Sequence, residues 1–157
     1  MTADFVGAPG ERIRRSWPAH SPGGPTGRPS SGALILTDRR LVFVAKPGLF
    51  GRSRAAGPDR SVPLEEIGGA SPHRTEMRIG YGDRMVVEGV EVAGMVYELG
   101  REVRSDLVLA EIAEARQARR TELGLPDDIA PCSSCGRWIA FGAPRCTGCL
   151  RTQTPAR

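Results

Sequence analysis

Four cysteines near the C-terminal end of the chain are the residues whose types and spacing could do chemistry. Cys132, Cys135, Cys146 and Cys149 follow the pattern C-x2-C-x10-C-x2-C. Each C-x2-C pair makes a tight turn in which the two sulfurs converge, and the segment between the pairs can run out and back as a short hairpin. The spacing therefore predicts one zinc ion held by four thiolates in a ribbon over residues 132–150.

The zinc ion is predicted to be structural, because four protein ligands leave no open position for water. A ribbon of roughly twenty residues cannot bury a self-sufficient core. Zinc binding, at roughly 10–16 kcal/mol, would supply its folding free energy. Two disulfides, or a redox switch that ejects zinc, stay open as alternatives.

The cysteine unit resembles the short zinc ribbons common in prokaryotic proteins, with which it shares the spacing and a G-A-x-x-C approach to the second pair. That approach is Gly142-Ala143-Pro144-Arg145-Cys146. Such ribbons usually have Pro after the first cysteine and Gly after the last. This chain has Ser133 and Leu150 at those positions.

Three large apolar residues, Trp138, Ile139 and Phe141, lie between the two cysteine pairs. A ribbon this small cannot bury all three. One interpretation packs one or two of them over the metal or against the rest of the chain. The other is an exposed partner contact made of Arg137, Trp138, Phe141 and Arg145.

The elements before the ribbon read as about seven strands followed by one helix. Alternating or β-rich runs are Glu11–Trp17, ALILT and RLVFVAK (a hairpin), VPLEEI, a run near Ala70–Arg74 that resumes from Glu76, Arg84–Val92 and Met95–Leu99. Ser105 is predicted to cap a helix with an apolar stripe at Val108, Leu109, Ile112 and Ala113, and with Arg116, Arg119 and Arg120 in its last turns. The predicted boundaries are a flexible N-terminus (1–9), a main domain (10–122), a linker (123–131), the ribbon (132–150) and a tail (151–157).

The main domain resembles the GRAM and bacterial pleckstrin-homology-like (PH-like) families. The matching residues are the opening Gly10-Glu11-Arg12-Ile13, the hairpin GALILTDRRLVFVAK (Gly32 to Lys46) and VPLEEI (Val62 to Ile67). The resemblance covers about residues 10–120 and implies a mainly β fold, a bent seven-stranded barrel closed by one C-terminal helix. It also implies a scaffold for binding lipids or proteins rather than for catalysis.

A basic loop suggests a membrane contact. Lys46, Leu49, Phe50, Arg52 and Arg54 combine two apolar side chains with three positive charges. The apolar pair could enter an anionic bilayer while the cations meet phosphates. The alternative is that Leu49 and Phe50 fold back onto the barrel.

Composition limits the function classes. The chain shows no secretory signal and no run of about 18 apolar residues, so we expect a cytoplasmic protein with reduced thiols, with a peripheral membrane location as the alternative. No nucleophile–base set or phosphate-binding loop is present, so no enzyme and no small-molecule substrate are expected. The leading hypothesis is an adaptor that binds a protein partner. The alternatives are a nucleic-acid-associated zinc-ribbon protein and a zinc-thiol redox sensor.

Overall fold

Seven strands form one antiparallel sheet in the computed structural model, which describes residues 5, 7–22, 29–46 and 60–153. The strand order is β4-β3-β2-β1-β7-β6-β5. The strands are β1 (Ile13–Ser21), β2 (Ser30–Thr37), β3 (Arg40–Ala45), β4 (Arg60–Pro63), β5 (Ala70–Ile79), β6 (Asp83–Val92) and β7 (Met95–Leu99). One turn of 3-10 helix, Leu64–Glu66, follows β4, and α1 (Ser105–Glu122), β8 (Ile129–Pro131) and β9 (Trp138–Ala140) complete the chain. The predicted mainly β fold is confirmed as a curled, seven-stranded half-barrel with one helix.

Two glycines let neighbouring strand backbones approach each other closely. A Cβ atom built on Gly32 would lie 2.1 Å from the carbonyl oxygen of Val44, and one on Gly89 would lie 2.6 Å from that of Tyr97. No side chain fits at such distances. Gly32 in the quoted hairpin motif is therefore required by the packing of β2 on β3.

Helix α1 covers the inner face of the half-barrel. Val108 and Ile112 have no exposed surface, as the predicted apolar stripe requires. They meet side chains from the inner face of the sheet: Leu34, Leu36, Leu41, Phe43, Val90, Val92, Tyr97 and Leu99. No helix within the described parts of the chain is long and apolar enough to cross a membrane.

The helix begins differently from the prediction. Ser105 is its first residue rather than its cap, and the preceding Arg104 makes no capping side-chain hydrogen bond. The carboxylate of Glu88, on β6, instead accepts the Ser105 N–H at 3.3 Å. A negative charge at this end of a helix is favourable, so the sheet supplies the stabilisation expected from a local cap.

Strand β1 is also longer than predicted. The run predicted for the first strand ends at Trp17, whereas β1 continues through Pro18 to Ser21. Pro18 lies opposite Ala33, and its carbonyl accepts the N–H of Gly100 at 3.0 Å. The nitrogen and the carbonyl of a strand residue point to the same side, so the missing N–H of proline faces Gly100 and removes no bond to β2.

The residues that carry the GRAM resemblance hold the start of β1 to the β2–β3 turn. The Glu11 carboxylate accepts hydrogen bonds from Thr37 Oγ1 at 2.7 Å and from Arg40 Nε at 2.8 Å, and its side chain has no exposed surface. The hydrogen bonds from Arg40, against the opposing effect of burial, lower the pKa of Glu11 to about 2. Glu11, Thr37 and Arg40 therefore have a structural role.

Candidate metal centre

The four cysteine sulfurs converge on one point. All four Sγ atoms lie within 4.8 Å of one another. Cys132 and Cys149 are separated by 3.7 Å between sulfurs, and Cys135 and Cys146 by 3.6 Å. A tetrahedron with metal–sulfur bonds of about 2.3 Å has edges of about 3.8 Å. The cluster is thus positioned to bind one metal ion with all four thiols.

The two cysteine pairs are held in equivalent turns. In the first, the Cys132 carbonyl accepts the N–H of Gly136 at 2.9 Å, and in the second the Cys146 carbonyl accepts that of Leu150 at 2.9 Å. Gly136 has φ +71° and Leu150 φ +59°. Both turns need a residue with left-handed backbone conformation after the second cysteine. The second turn has Leu150 there, although residues with a side chain rarely adopt this conformation.

Backbone N–H groups favour thiolates at the first cysteine of each turn. Burial opposes ionisation of Cys132, but the N–H of Ser134 and other donors lower its pKa to about 6. The N–H of Cys149 lowers the pKa of Cys146. The N–H of Arg137 lowers the pKa of Cys135, but burial and the neighbouring thiols outweigh it and raise the value to about 12. Ionisation of all four thiols is therefore unfavourable until a bound cation neutralises the charge of the thiolates.

Strands and a C-terminal segment connect the two turns. In the β8–β9 pair Pro131 lies opposite Trp138, and beyond the last cysteine Thr152 bridges to Arg145. The Gln153 side-chain oxygen accepts the N–H of Ser133 at 3.2 Å. The structured ribbon therefore also involves residues 129–131 and 151–153, while the predicted domain boundaries stay predictions.

Trp138 belongs to the main core rather than to an exposed tip. Its side chain is 7% exposed and joins the same buried cluster as α1 and the sheet. The guanidinium of Arg116 lies over its ring, 5.8 Å from the centroid. Of the two interpretations of the apolar residues between the cysteine pairs, Trp138 follows the one in which the side chain packs against the rest of the chain.

Two buried arginines complete the docking interface, which comprises Arg116, Arg120, Asp128 and Trp138. Arg116 Nε donates to the Ile67 carbonyl at 2.8 Å, and its guanidinium pairs with Asp128. Arg120 donates to the Glu65 carbonyl at 3.1 Å and pairs with Asp128 at 3.2 Å. The hydrogen bond that Arg116 donates to Asp128 lowers the pKa of this carboxyl group. The docking interface thus joins the ribbon, the helix and the turn after β4.

The sequence interpretation placed Arg116 and Arg120 among charges that favour the C-terminal end of a helix. They are 3% and 6% exposed. A signal was present, since both continue the four-residue spacing from Ile112 and so share the face of the apolar stripe.

The remaining predicted contact residues divide into two groups. Phe141 is 62% exposed, and Arg137 and Arg145 are exposed beside the ribbon turns. Lys46 is exposed at the end of β3, whereas Leu49, Phe50, Arg52 and Arg54 lie outside the described residues.

Comparison with known proteins adds no relative: no family model matches the chain, and no curated protein is similar to it.

Proposed function

We propose that this chain is a non-enzymatic binding protein, an adaptor in which a GRAM- or PH-like domain and a structural zinc ribbon present a surface to a protein partner. The observation that carries the proposal is the closed cluster of four cysteines docked on the sheet domain through Trp138. All four thiols can serve one metal ion, and the indole serves packing. The ribbon then acts through its shape and its exposed side chains.

Zinc is the metal that suits this donor set. Four thiolates in tetrahedral arrangement favour zinc among the divalent ions, and a thiol-rich site without an open position is typical of structural zinc. Protein purified without added metal should contain close to one zinc per chain by mass spectrometry. Cys135→Ser should lose most of it. A dominant iron content, or negligible metal in the wild type, would contradict zinc as the resident ion.

The partner surface we propose centres on Phe141, with Arg137 and Arg145 nearby in the ribbon. A solvent-exposed aromatic flanked by arginines is the composition that contributes most to protein interfaces. Phe141→Ala and Arg145→Ala should reduce recovery of a specific partner from host extract by at least tenfold in quantitative affinity capture. Leu107→Ala is the matched control, because Leu107 is an apolar residue on α1 with 58% exposure. Equal losses for Phe141→Ala and Leu107→Ala would contradict the proposed surface.

Deletion of the ribbon is a poor substitute for these variants. Removing residues 128–153 also removes Asp128 and Trp138, the partners of buried Arg116. An uncompensated buried charge would then destabilise the sheet domain. Loss of binding by such a truncation could not be assigned to the ribbon surface.

Nucleic acid is the second candidate partner. Residues 129–153 contain Arg137, Arg145 and Arg151 but no Asp or Glu, and all three arginines are exposed. Binding to phosphates would fall steeply with salt, with a logarithmic slope of about −0.9 for each duplex phosphate neutralised. A steep slope with duplex or single-stranded probes would favour this candidate over the adaptor.

Two further arms test the remaining hypotheses. Retention on vesicles rich in anionic lipid, lost at high salt, would support the membrane contact expected from the loop that begins at Lys46. Release of zinc by micromolar peroxide, reversed by a thiol reductant, would support the redox sensor. A reducing, cytoplasmic location belongs to the same proposal and predicts free thiols after metal removal.

A further inference from the structure

Strand β5 ends the sheet, and no further strand of the described residues pairs with its outer edge. Within the described residues β5 pairs only with β6. Its second half is exposed. The Arg74 side chain is 75% open to solvent and lies 3.8 Å from Glu88 of β6, and the Glu76 side chain is 66% open and lies 3.6 Å from Arg84 of β6. An exposed edge of this length is a template for another strand.

The charges on this edge are complementary to themselves. Arg74, Glu76 and Arg78 alternate in sign along one face of β5, and Thr75, Met77 and Ile79 lie on the other face. Directly opposite residues of antiparallel strands share a face. A second copy of β5, related by a two-fold axis at Met77, would therefore place Glu76 against Arg78 twice and Met77 against Met77.

Other registers and edges are less suitable. An axis at Glu76 would oppose Glu76 to itself and Arg74 to Arg78, which repel. An axis at Thr75 would bring Pro72 into the pairing, and Pro72 has no N–H to donate. Pro72 also lies 3.9 Å from a Cβ built on Gly136 in the ribbon, so that part of β5 is already close to a neighbour. Strand β4, at the opposite edge, has four residues.

We propose that β5 is a homodimerisation edge, at which two chains pair antiparallel about Met77. The pairing extends the sheet across both chains and covers Met77 and Ile79, which are 39% and 48% exposed in one chain. A contact of one short strand buries less surface than an obligate dimer. The two chains should therefore associate reversibly, with a dimer fraction that depends on concentration.

Charge variants test both the edge and its register by sedimentation equilibrium. Glu76→Arg makes three positive charges in a row, and Arg78→Glu places negative charges at 76 and 78, so each variant alone should remain monomeric. An equimolar mixture of the two should recover dimers, because each Arg then faces a Glu. The double variant Glu76→Arg with Arg78→Glu should dimerise as the wild type does.

The control is Glu114→Arg, an exposed charge reversal beside Arg14 of β1, three strands away from β5, which should leave association unchanged. Thermal melts establish that the variants fold. The inference fails if the wild type stays monomeric into the millimolar range, or if the two single variants associate as the wild type does. If Arg78→Glu alone forms dimers, the register about Met77 is wrong. If the mixture of the two single variants forms no dimers, residues 76 and 78 do not pair directly.

Discussion

Leu150 occupies a position for which its side chain is poorly suited. It follows the last cysteine with φ +59°, as Gly136 follows Cys135 with φ +71°. A left-handed conformation costs an L-residue roughly 1–2 kcal/mol, whereas glycine adopts it freely. The side chain is 75% exposed, so packing returns little of that cost.

We predict that Leu150→Gly stabilises the ribbon. The relief of backbone strain is offset in part by the greater freedom of glycine in the unfolded chain, which leaves a gain of about 0.5–1 kcal/mol. Thermal unfolding monitored by zinc release should shift upward. The matched variant Gly136→Ala should lose about 1 kcal/mol, and a destabilised Leu150→Gly would show that the leucine makes a contact that exceeds its strain.

Glu11 makes the stability of the fold depend on acid. Its pKa is lowered to about 2, so the ion pair with Arg40 stabilises the native state above the ordinary carboxyl pKa of 4.5. That contribution, on the order of 2–3 kcal/mol, is lost as the pH falls from about 4.5 to about 2.

Glu11→Gln should therefore reduce the free energy of unfolding by about 2–3 kcal/mol at neutral pH and by little near pH 2. Urea unfolding at a series of pH values measures the difference. Glu114→Gln is the control, since Glu114 pairs with Arg14 while 70% of its side chain is exposed. A difference that does not change between pH 7 and pH 2 would assign the effect to packing instead of charge.

One face of helix α1 makes two kinds of contact. Its apolar stripe packs on the sheet, and two arginines farther along the same face contact the ribbon. Arg116 donates a hydrogen bond to the Ile67 carbonyl, forms an ion pair with Asp128 and lies over the Trp138 ring. Charged hydrogen bonds at a buried site are worth more than those at a surface. The end of the helix therefore determines where the ribbon sits.

Arg116→Leu should separate the ribbon from the helix at a cost of about 2–3 kcal/mol, because the Ile67 carbonyl loses its donor. In a Trp17→Phe background Trp138 is the remaining indole, and its fluorescence should shift to the red as water reaches it. Arg116→Lys should lose less. Ala118→Leu, at an exposed position of the same helix, should leave the emission unchanged; a shift of equal size there would contradict the specific role of Arg116.

How much the sequence could predict depends on the range of the contacts. The strand alternation, the helical stripe and the cysteine spacing are local patterns, and they identified the sheet, α1 and the metal cluster. The docking interface depends on residues 116, 128 and 138 meeting in space, and no local pattern records that contact. The same holds for Glu88. It lies on β6, 17 residues before Ser105, and its carboxylate replaces the cap that was expected at Ser105.

At the scale of the whole molecule, the ribbon and the half-barrel share a core through Trp138. Trp138, the first residue of β9, is buried in the same cluster as α1, so the order of the ribbon and the burial of the helix are coupled. A ribbon attached by a free linker would unfold alone. Here we expect metal removal to weaken the sheet domain as well.

Chelation of the metal should lower the free energy of unfolding of the sheet domain by about 3 kcal/mol, the usual cost of losing a buried aromatic side chain. Circular dichroism during urea unfolding would record it. Trp138→Ala should cause a similar loss with metal bound, and chelation of that variant should add little, as a double-mutant cycle would show. Additive losses would mean that the two parts fold independently.

The position of Trp138 in the chain also affects the order of events during synthesis. The strands and α1 leave the ribosome before the segment that completes their core, so the face of α1 around Arg116 stays uncovered while residues 123–153 are being made. We expect the last step to be capture of a metal ion, once the second cysteine pair has been made. Maturation of the nascent chain would then depend on the supply of that ion, and a cell short of it would accumulate chains with an open core that chaperones and proteases can recognise.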